Sequence, residues 1–242
     1  MIKYSICVML GVSVLGTQAV CAEDEFFLGA ALQVEPSIYK EGNDQVKFSA
    51  FKLDRDGFYL PGPAFNVYRS PTSRAYLGAG LDEWDHKRGK SNITAGMDSL
   101  DRAINLRAGT AWKGRMGLVG VDLMHDFTAH KGNQVRLRYI KPIQSGKALW
   151  LPHLSIQWLD KDVSNYYFGV KASEATTTRP TYEVGSTQVV KAGVDVEFPL
   201  SRSLAMVTGV GVTAYDSAIK DSPLVDKGSA PYAKVGLAYR FR

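Results

Sequence analysis

The feature that most constrains this chain is an alternation of apolar and polar residues with a period of two. It is clearest near the C-terminus, where Val235, Leu237, Tyr239 and Phe241 alternate with Lys234, Gly236, Ala238 and Arg240. Successive side chains of a β-strand point to opposite faces, so such a segment has one apolar and one polar face. The same alternation recurs at 104–112, 119–127, 134–139, 190–198 and 205–214. Helical spacing is almost absent, and the pattern predicts an all-β protein.

The length of these segments indicates a membrane. Many run for ten residues or more, which exceeds the five or six usual in soluble sheets and suits a tilted strand that crosses a bilayer. No stretch approaches 18 consecutive apolar residues, so spanning helices are not expected. Aromatic residues near the strand ends are typical of interfacial girdles, although a soluble sandwich also buries aromatics. They are Phe26, Phe27, Tyr68, Trp84, Trp112, Phe127, Trp150, Trp158, Phe198, Tyr215 and Phe241.

The connections between the segments predict an antiparallel transmembrane β-barrel of about 12 strands, with 10 as the alternative. Short turns at 112–115, 144–147 and 199–202 contrast with long polar connections at 82–100, 161–186 and 216–230. About eleven strong strands can be counted, whereas a single-chain bacterial barrel has an even number. Either 166–170 forms an additional strand, or the strands of the region 26–67 are miscounted by one.

The N-terminus resembles an export signal. Lys3 precedes a short apolar run at 6–16, and small residues at 20–22 suit cleavage after Ala22. We therefore expect a signal peptide at 1–22 and a barrel domain at 23–242. Cleavage removes Cys7 and Cys21, which leaves the mature chain without a disulfide, a thiolate nucleophile or a cysteine metal site. The formal net charge of +5 is too small to indicate a nucleic-acid partner.

Two histidines are candidate catalytic groups. His125 lies beside Asp126, but neighbours on a strand point to opposite faces and could not easily cooperate. His153 and Ser155 share a face, yet they fall in mid-strand, where polar packing is the simpler interpretation. We expect no catalytic residue, and a hydrolase at the barrel rim is the less favoured alternative.

No metal or cofactor site is expected either. The histidines are scattered, and an acidic stretch at 82–85 has no defined calcium-loop pattern. The glycine pairs 78/80 and 209/211 lie inside strands, with no following helix that could bind phosphate. They are expected to relieve crowding or to allow bending inside a barrel.

The polar faces of the strands carry charges of both signs. If the apolar faces meet lipid, these charges line the lumen, where they either pair and plug it or line a wet pore with an ion preference. A barrel of this size is intermediate between filled eight-stranded barrels and open porins, so the sequence leaves both arrangements open. The candidates are Arg107, Asp122, Asp126, Arg136, Arg138, Lys191, Asp195 and Glu197, with Lys234 and Arg240.

Several segments together resemble a known family. They are NYYFGV at 165–170 followed by Ser173, Glu174 and Ala175, then DSPLVDK at 221–227 and GLAYRF at 236–241. FLGAA at 27–31 and PSIYK at 36–40 also fit. The chain is therefore similar to the MltA-interacting protein / OmpV (MipA/OmpV) family of outer-membrane proteins, over essentially its whole mature length.

The resemblance implies a Gram-negative outer-membrane barrel without enzymatic activity or cofactors. The family's namesake is regarded as a scaffold that joins a murein hydrolase to a peptidoglycan synthase, and other members are described as porin-like. We therefore expect a structural or scaffold protein linked to peptidoglycan turnover, with a small-solute channel as the alternative. Expected partners are outer-membrane lipid, murein hydrolase and synthase, and the barrel-assembly machinery, for which Tyr239 and Phe241 are the expected assembly signal.

Overall fold

The structure is a computed structural model. It describes residues 26–42, 45–54, 59–61, 63–82, 84 and 92–241. The predicted signal peptide at 1–22 lies outside these residues, as does the start of the predicted barrel domain at 23–25, so both remain predictions.

Strands make up more than half of the described chain. The strands are β1 Phe26–Glu35, β2 Gln45–Asp54, β3 Tyr59–Pro61, β4 Ala64–Arg69, β5 Ser73–Leu81, β6 Ile104–Gly114, β7 Gly117–Asp126, β8 Asn133–Ile140, β9 Ile143–Ser145, β10 Ala148–Leu159, β11 Thr187–Pro199, β12 Leu204–Tyr215 and β13 Ser229–Phe241. Two short α-helices, α1 Lys161–Phe168 and α2 Ser217–Lys220, and two 3₁₀ turns, Asn92–Thr94 and Ala172–Glu174, lie in the long connections.

The strands form one antiparallel sheet in the order β3-β2-β1-β13-β12-β11-β10-β8-β7-β6-β5-β4. β9 continues β8 beyond Pro142, since both pair with β10. The first and last long strands are neighbours, with Phe26 opposite Phe241 and Val34 opposite Ala233. The path ends at β3 and β4, which follow one another in the chain, and the described residues show no ladder between these two. The protein is a twelve-stranded antiparallel transmembrane β-barrel, as predicted.

The structure also resolves the uncertain strand count. The proposed extra strand at 166–170 is wrong, because Tyr166 to Phe168 belong to α1 and Val170 makes only an isolated bridge to Tyr182. The missing strand lies at the front of the chain, where β1 to β4 occupy the region that the sequence count had underestimated. β3 has only three residues, which explains why no alternation revealed it.

The sheet is apolar on its outer face and polar on its inner face. Leu106, Leu123 and Val210 on the outer face are 54%, 53% and 57% exposed, whereas Asp122 and Gln134 on the inner face are 2% and 1% exposed. Such an inverted distribution is stable only if the outer face meets hydrocarbon, where lipid replaces water around the apolar side chains. The apolar belt is therefore the surface that contacts the membrane.

Glycines on the inner face let large side chains lie flat against the wall. A Cβ at Gly109 would collide with the ring of Tyr76, and one at Gly211 or Gly193 would collide with the hydroxyl of Tyr232. The absent side chains therefore make room for the two tyrosines. At 78/80 and 209/211 a Cβ would likewise meet Ala64, Arg107, Asp195 or Tyr232. The glycine pairs relieve crowding, as the sequence predicted.

The two ends of the barrel differ in the length of their connections. Short turns join β4 to β5, β6 to β7, β9 to β10 and β11 to β12 at the end where β13 finishes. Long connections that contain the helices lie at the opposite end. Outer-membrane barrels place short turns in the periplasm and long loops outside, which assigns the two ends. None of the helices in the described ranges is long and apolar enough to cross a membrane.

Candidate functional site

The long outer connections fold together over the mouth of the barrel. We define the cap as residues 36–40, 92–100, 160–186 and 216–227. Its side chains form a buried apolar cluster that also includes the outer ends of three strands. The members are Ile38, Tyr39, Met97, Leu159, Val163, Tyr167, Phe168, Val170, Val184, Val189, Ile219, Leu224, Val225 and Ala230. The cap thus has an ordinary globular core, unlike the inverted wall beneath it.

Helix α1 is fixed at its start by Asp160, its N-cap residue. The Asp160 carboxylate accepts hydrogen bonds from the backbone N–H groups of Asp162 and Val163 at 3.1 and 3.0 Å. It also accepts from the backbone N–H of Asn133 on β8, at 2.6 Å. Burial raises the pKa of Asp160, but these hydrogen bonds outweigh it and lower the pKa below its ordinary value of 3.8. One carboxylate therefore caps the helix and ties it to the barrel wall.

Phe168, at the end of α1, is the centre of the cap. It is 0% exposed. Its ring stacks on Tyr39 with a centroid separation of 5.8 Å and meets Trp84 edge-on at 5.9 Å. Trp84 in turn lies 6.2 Å from the ring of Tyr215, at the end of β12. Aromatic pairs at such distances contribute stability beyond that of the area they bury. The cluster therefore anchors α1 to the rim.

Three of the segments that carry the family resemblance meet in the cap. The hydroxyl of Ser222 donates to the backbone carbonyl of Phe168 at 2.6 Å. Lys40 donates its backbone N–H to the carbonyl of Leu224 at 2.9 Å, and Tyr39 forms a bridge with Val225. The motifs at 36–40, 165–170 and 221–227 are therefore parts of one packed unit.

Asp82, at the end of β5, links the cap to the wall. Its carboxylate accepts hydrogen bonds from His130 Nε2 at 3.0 Å, the Tyr167 hydroxyl at 3.1 Å and Gln134 Nε2 at 3.1 Å. The Gly132 backbone N–H donates to His130 Nδ1, an arrangement in which Nε2 carries the proton. Burial, together with the Asp82 charge, raises the pKa of Tyr167 far above its ordinary value. From the sequence alone, Asp82 belongs to an acidic stretch without a calcium-loop pattern, and nothing there predicts this role.

Arg179 joins two outer connections to each other. It is 3% exposed and donates to the backbone carbonyls of Glu174 at 3.0 Å and Ala95 at 3.1 Å, and also to that of Ile93. Glu174 accepts the backbone N–H of Asp98 at 3.1 Å. A buried guanidinium that left its donors unpaired would destabilise the fold strongly, so these carbonyls hold the 92–100 segment against the 160–186 segment.

On the inner face, Arg138 and Asp122 form an ion pair with 2.9 Å between Nε and Oδ2. The Tyr76 hydroxyl contacts both side chains. Arg136 donates to Gln157 Oε1 at 2.7 and 3.0 Å. The Arg138–Asp122 pair therefore neutralises part of the charge on this part of the wall.

A second polar network covers β10 to β13. Lys234 pairs with Asp195 at 2.6 Å, and His153 Nε2 lies 2.8 Å from the Tyr232 hydroxyl. The Lys191 ammonium sits 4.2 Å above the ring of Tyr232. This network continues along the strands next to those that carry the Arg138–Asp122 pair, since β10 pairs with β8.

The remaining inner-face candidates lie near the two ends. Arg107 donates to the carbonyl of Leu81 at 3.0 Å. Asp126 is 0% exposed and accepts the backbone N–H groups of Ala129 and His130 at 2.7 and 2.6 Å, so it shapes the β7–β8 connection. Glu197 is half-buried toward the periplasmic end.

The residues considered for catalysis do not come together. His125 is exposed and its Nδ1 lies 3.0 Å from Asn133 Oδ1, whereas Asp126 points to the opposite face. His153 and Ser155 share the inner face. His153 contacts the Leu151 carbonyl, the Asp195 carboxylate and the Tyr232 hydroxyl. In the described part of the chain, no group of three or more His, Cys, Asp or Glu residues could hold a metal ion. Glu83, Asp85 and His86 lie outside it.

The paired strands, the outward apolar belt and the folded outer loops define an outer-membrane β-barrel. The family model described as MltA-interacting protein MipA matches residues 28–241, so the chain belongs to this family. The predicted family and the outer-membrane location are confirmed.

The curated relatives are outer-membrane proteins by name. Outer membrane protein OmpV of Vibrio cholerae is 28% identical over 152 residues, which cover 62% of this chain and 59% of that protein. The match thus spans about three-fifths of OmpV. The putative outer membrane protein YiaT of Escherichia coli K12 is 23% identical over 227 residues, which cover 90% of this chain and 91% of YiaT.

Solved outer-membrane proteins are also similar. The COG4313 outer membrane channel from Pseudomonas putida F1 superposes with a TM-score of 0.45 and 10% identity, covering 96% of this chain and 100% of that one. OmpT of Vibrio cholerae gives a TM-score of 0.38 and 8% identity over 92% of this chain and 99% of that one.

Proposed function

We propose that the protein is a non-enzymatic structural or scaffold barrel of the cell envelope, linked to peptidoglycan turnover, whose outer mouth is held closed by the cap. The observation that carries the proposal is the complete burial of Phe168, Ile219 and Leu224 among the outer loops, each at 0% exposure. Fully burying such a side chain contributes about 1.5–3 kcal/mol. Three of them, with the Asp82 and Arg179 hydrogen bonds, favour a permanently closed mouth over an open pore.

The link to peptidoglycan is supported by the family to which the chain belongs. Its description names an interaction with the murein hydrolase MltA. We extend this to the chain itself as a partnership with a murein hydrolase and a synthase at the periplasmic end. Outer-membrane lipid surrounds the apolar belt in the same proposal.

The remaining parts of the proposal concern export and assembly. Residues 1–22 form the cleaved signal peptide and 23–242 the barrel domain. Tyr239 and Phe241 form the signal that the assembly machinery reads. Their rings lie 5.0 Å apart on the outer face of β13, where a receptor could contact both.

A gated small-solute channel is the alternative function. The ten inner-face candidates would then line a wet lumen beneath the cap. Partial exposure of charged side chains favours this alternative, since Arg138, Asp195 and Lys234 are 17%, 16% and 23% exposed. Under this alternative the cap opens in response to a signal rather than staying shut.

Conductance in planar bilayers separates the two functions. We expect the wild-type protein to be silent and Phe168→Ala to show openings. Phe65→Ala is the matched control, because Phe65 lies on the lipid face at 62% exposure. Steady, salt-dependent openings of the wild type would favour the channel.

Affinity capture from solubilised envelopes tests the scaffold role itself. The wild type should retain a murein hydrolase and a synthase, and failure to retain either would contradict that role. Lipid or peptide hydrolysis by the wild type that is lost in His125→Ala or His153→Ala would contradict the non-enzymatic assignment.

A further inference from the structure

The two ends of the barrel differ in charge as well as in length of connection. The four described periplasmic turns, 69–73, 113–117, 141–148 and 199–204, contain six basic residues and no acidic residue. The fifth short connection, 55–58, lies outside the described residues. The described outer connections instead contain eleven acidic and eight basic residues. We call the six basic side chains the basic ring: Arg69, Lys113, Arg115, Lys141, Lys147 and Arg202.

The basic ring follows the circumference of the barrel. The four turns join β4 to β5, β6 to β7, β9 to β10 and β11 to β12, which are spread around the sheet order. Every one of these turns supplies at least one basic residue. Arg115, Lys147 and Arg202 are exposed. Positive charge is therefore distributed around the periplasmic rim rather than concentrated in one patch.

The depth of the ring coincides with the membrane interface. Trp112 is 49% exposed on the outer face and directly precedes Lys113. Tyr239 and Phe198, at 49% and 40%, mark the same level on other strands. Exposed aromatics at strand ends lie among lipid headgroups, so basic residues one to four positions beyond them reach the headgroup phosphates.

Apolar side chains at the tips of two turns support this placement. Met116 is 74% exposed beside Arg115, and Leu200 is 52% exposed two residues before Arg202. A basic residue next to an exposed apolar residue is typical of segments that lie in the interface, where the apolar group enters the acyl boundary and the cation meets anionic lipid.

We propose that the basic ring binds the anionic headgroups of phospholipids in the inner leaflet of the outer membrane. Guanidinium groups bind phosphate through paired N–H donors, and three of the six members are arginines. A protein partner usually buries about 800 Å² on each side, so it would have to span several of these turns. A lipid annulus, in contrast, contacts every turn around the barrel at once.

The test compares two variants that each lose four exposed cations. The ring variant is Arg69→Gln/Arg115→Gln/Lys147→Gln/Arg202→Gln, and the outer-end control is Lys40→Gln/Lys161→Gln/Lys220→Gln/Lys227→Gln. Each folded protein is reconstituted in equimolar phosphatidylglycerol and phosphatidylcholine, and the phospholipids retained after mild detergent extraction are quantified. Because each basic residue near an anionic surface contributes attraction, we expect the ring variant to lose roughly tenfold or more of the wild-type preference for phosphatidylglycerol at low salt. The control should keep the preference.

Several results would overturn the proposal. The first two are an unchanged preference in the ring variant and an equal loss in the outer-end control. The third is a wild-type preference that persists in 1 M salt, because salt at that concentration screens charges beyond about 3 Å. Unchanged lipid selectivity with lost capture of murein enzymes would assign the ring to an acidic protein partner instead. If the ring variant fails to fold, Arg202→Gln alone and the salt dependence of the wild type decide. Neither depends on whether the cap is closed.

Discussion

The wall and the cap of this barrel use the same apolar side chains in opposite ways. On the wall, residues such as Leu106 and Val210 face outward and are more than half exposed, whereas Phe168 and Leu224 in the cap are 0% exposed. The wall is stabilised by the lipid that surrounds it, and the cap by a small core of its own. One chain can therefore fold against two media. Apolar side chains face outward where lipid surrounds the wall, and they are buried where the cap has its own core.

The two regions also have different roles: the wall maintains the fold of the barrel, and the cap is proposed to control access to the lumen. The wall holds its shape through ladders such as β12 with β13, which do not depend on the outer loops. In the proposed function, the cap closes the mouth through side chains that contribute little to those ladders. A change in the cap should therefore alter access to the lumen while the barrel stays folded.

The largest effect is expected for Phe168→Ala. Truncating a fully buried phenylalanine typically costs about 3–5 kcal/mol, and here the cavity would open between α1 and Tyr39. We expect the cap to become protease-sensitive within 160–186 while the barrel keeps its heat-modifiable migration on gels. Phe65→Ala on the lipid face should leave the cap resistant. Loss of both cap and barrel in Phe168→Ala would show that the two regions are not separate.

A charge on the lipid face should break the wall instead. Val210→Arg places a guanidinium near the middle of β12, where such a residue costs about 2–4 kcal/mol in a barrel. The urea midpoint of folding into lipid vesicles should fall accordingly. Ser173→Arg on the exposed surface of the cap is the control and should stay within about 0.5 kcal/mol. Equal effects would mean that Val210 does not face lipid.

Asp82→Asn tests the link between the two regions. The amide keeps the shape of the carboxylate but cannot accept all the hydrogen bonds from His130, Tyr167 and Gln134, so about 1–3 kcal/mol should be lost locally. Hydrogen exchange should rise in α1 more than in the strands. Asp162→Asn, an exposed neighbour in the first turn of α1, should change little. An unaltered exchange pattern in Asp82→Asn would show that Asp82 does not link the cap to the wall.

The smallest effect concerns the start of α1. The lowered pKa of Asp160 means that its stabilising contribution is present above the ordinary value of 3.8 and is lost as the pH falls below it. Asp160→Ala should cost about 1 kcal/mol at neutral pH, as for other N-caps, and should flatten the dependence of α1 protection on pH as the pH falls below 3.8. An acid dependence that persists unchanged in the variant would place its origin elsewhere.

Much of the wall could be predicted from the sequence. Alternation in segments such as 104–112 and 190–198 fixed both the strands and the faces, because a period of two leaves only one way to segregate lipid from water. The three-residue β3 escaped detection, since so short a strand shows no period. The assignment of 166–170 as a possible strand failed because Asp160 caps the start of α1 and the Gly169 backbone N–H closes its end on the Asn165 carbonyl.

The cap could not be derived in the same way. Its contacts join residues far apart in sequence, such as Ser222 to Phe168 and Arg179 to Ala95. No periodicity encodes such contacts. The resemblance of 36–40, 165–170 and 221–227 to one family singled out the right segments, but only the structure places them together. The role of Asp82 was likewise invisible, because its partners come from three different elements.

The central proposal is that the cap closes the lumen from outside. It is tested most directly by Ser155→Cys, since Ser155 lies on the inner face and the predicted mature chain contains no other cysteine. A bulky, membrane-impermeant maleimide should fail to label this cysteine in intact cells and should label it once the outer membrane is permeabilised. Combination with Phe168→Ala should allow labelling in intact cells. Rapid labelling of Ser155→Cys alone in intact cells would contradict the account.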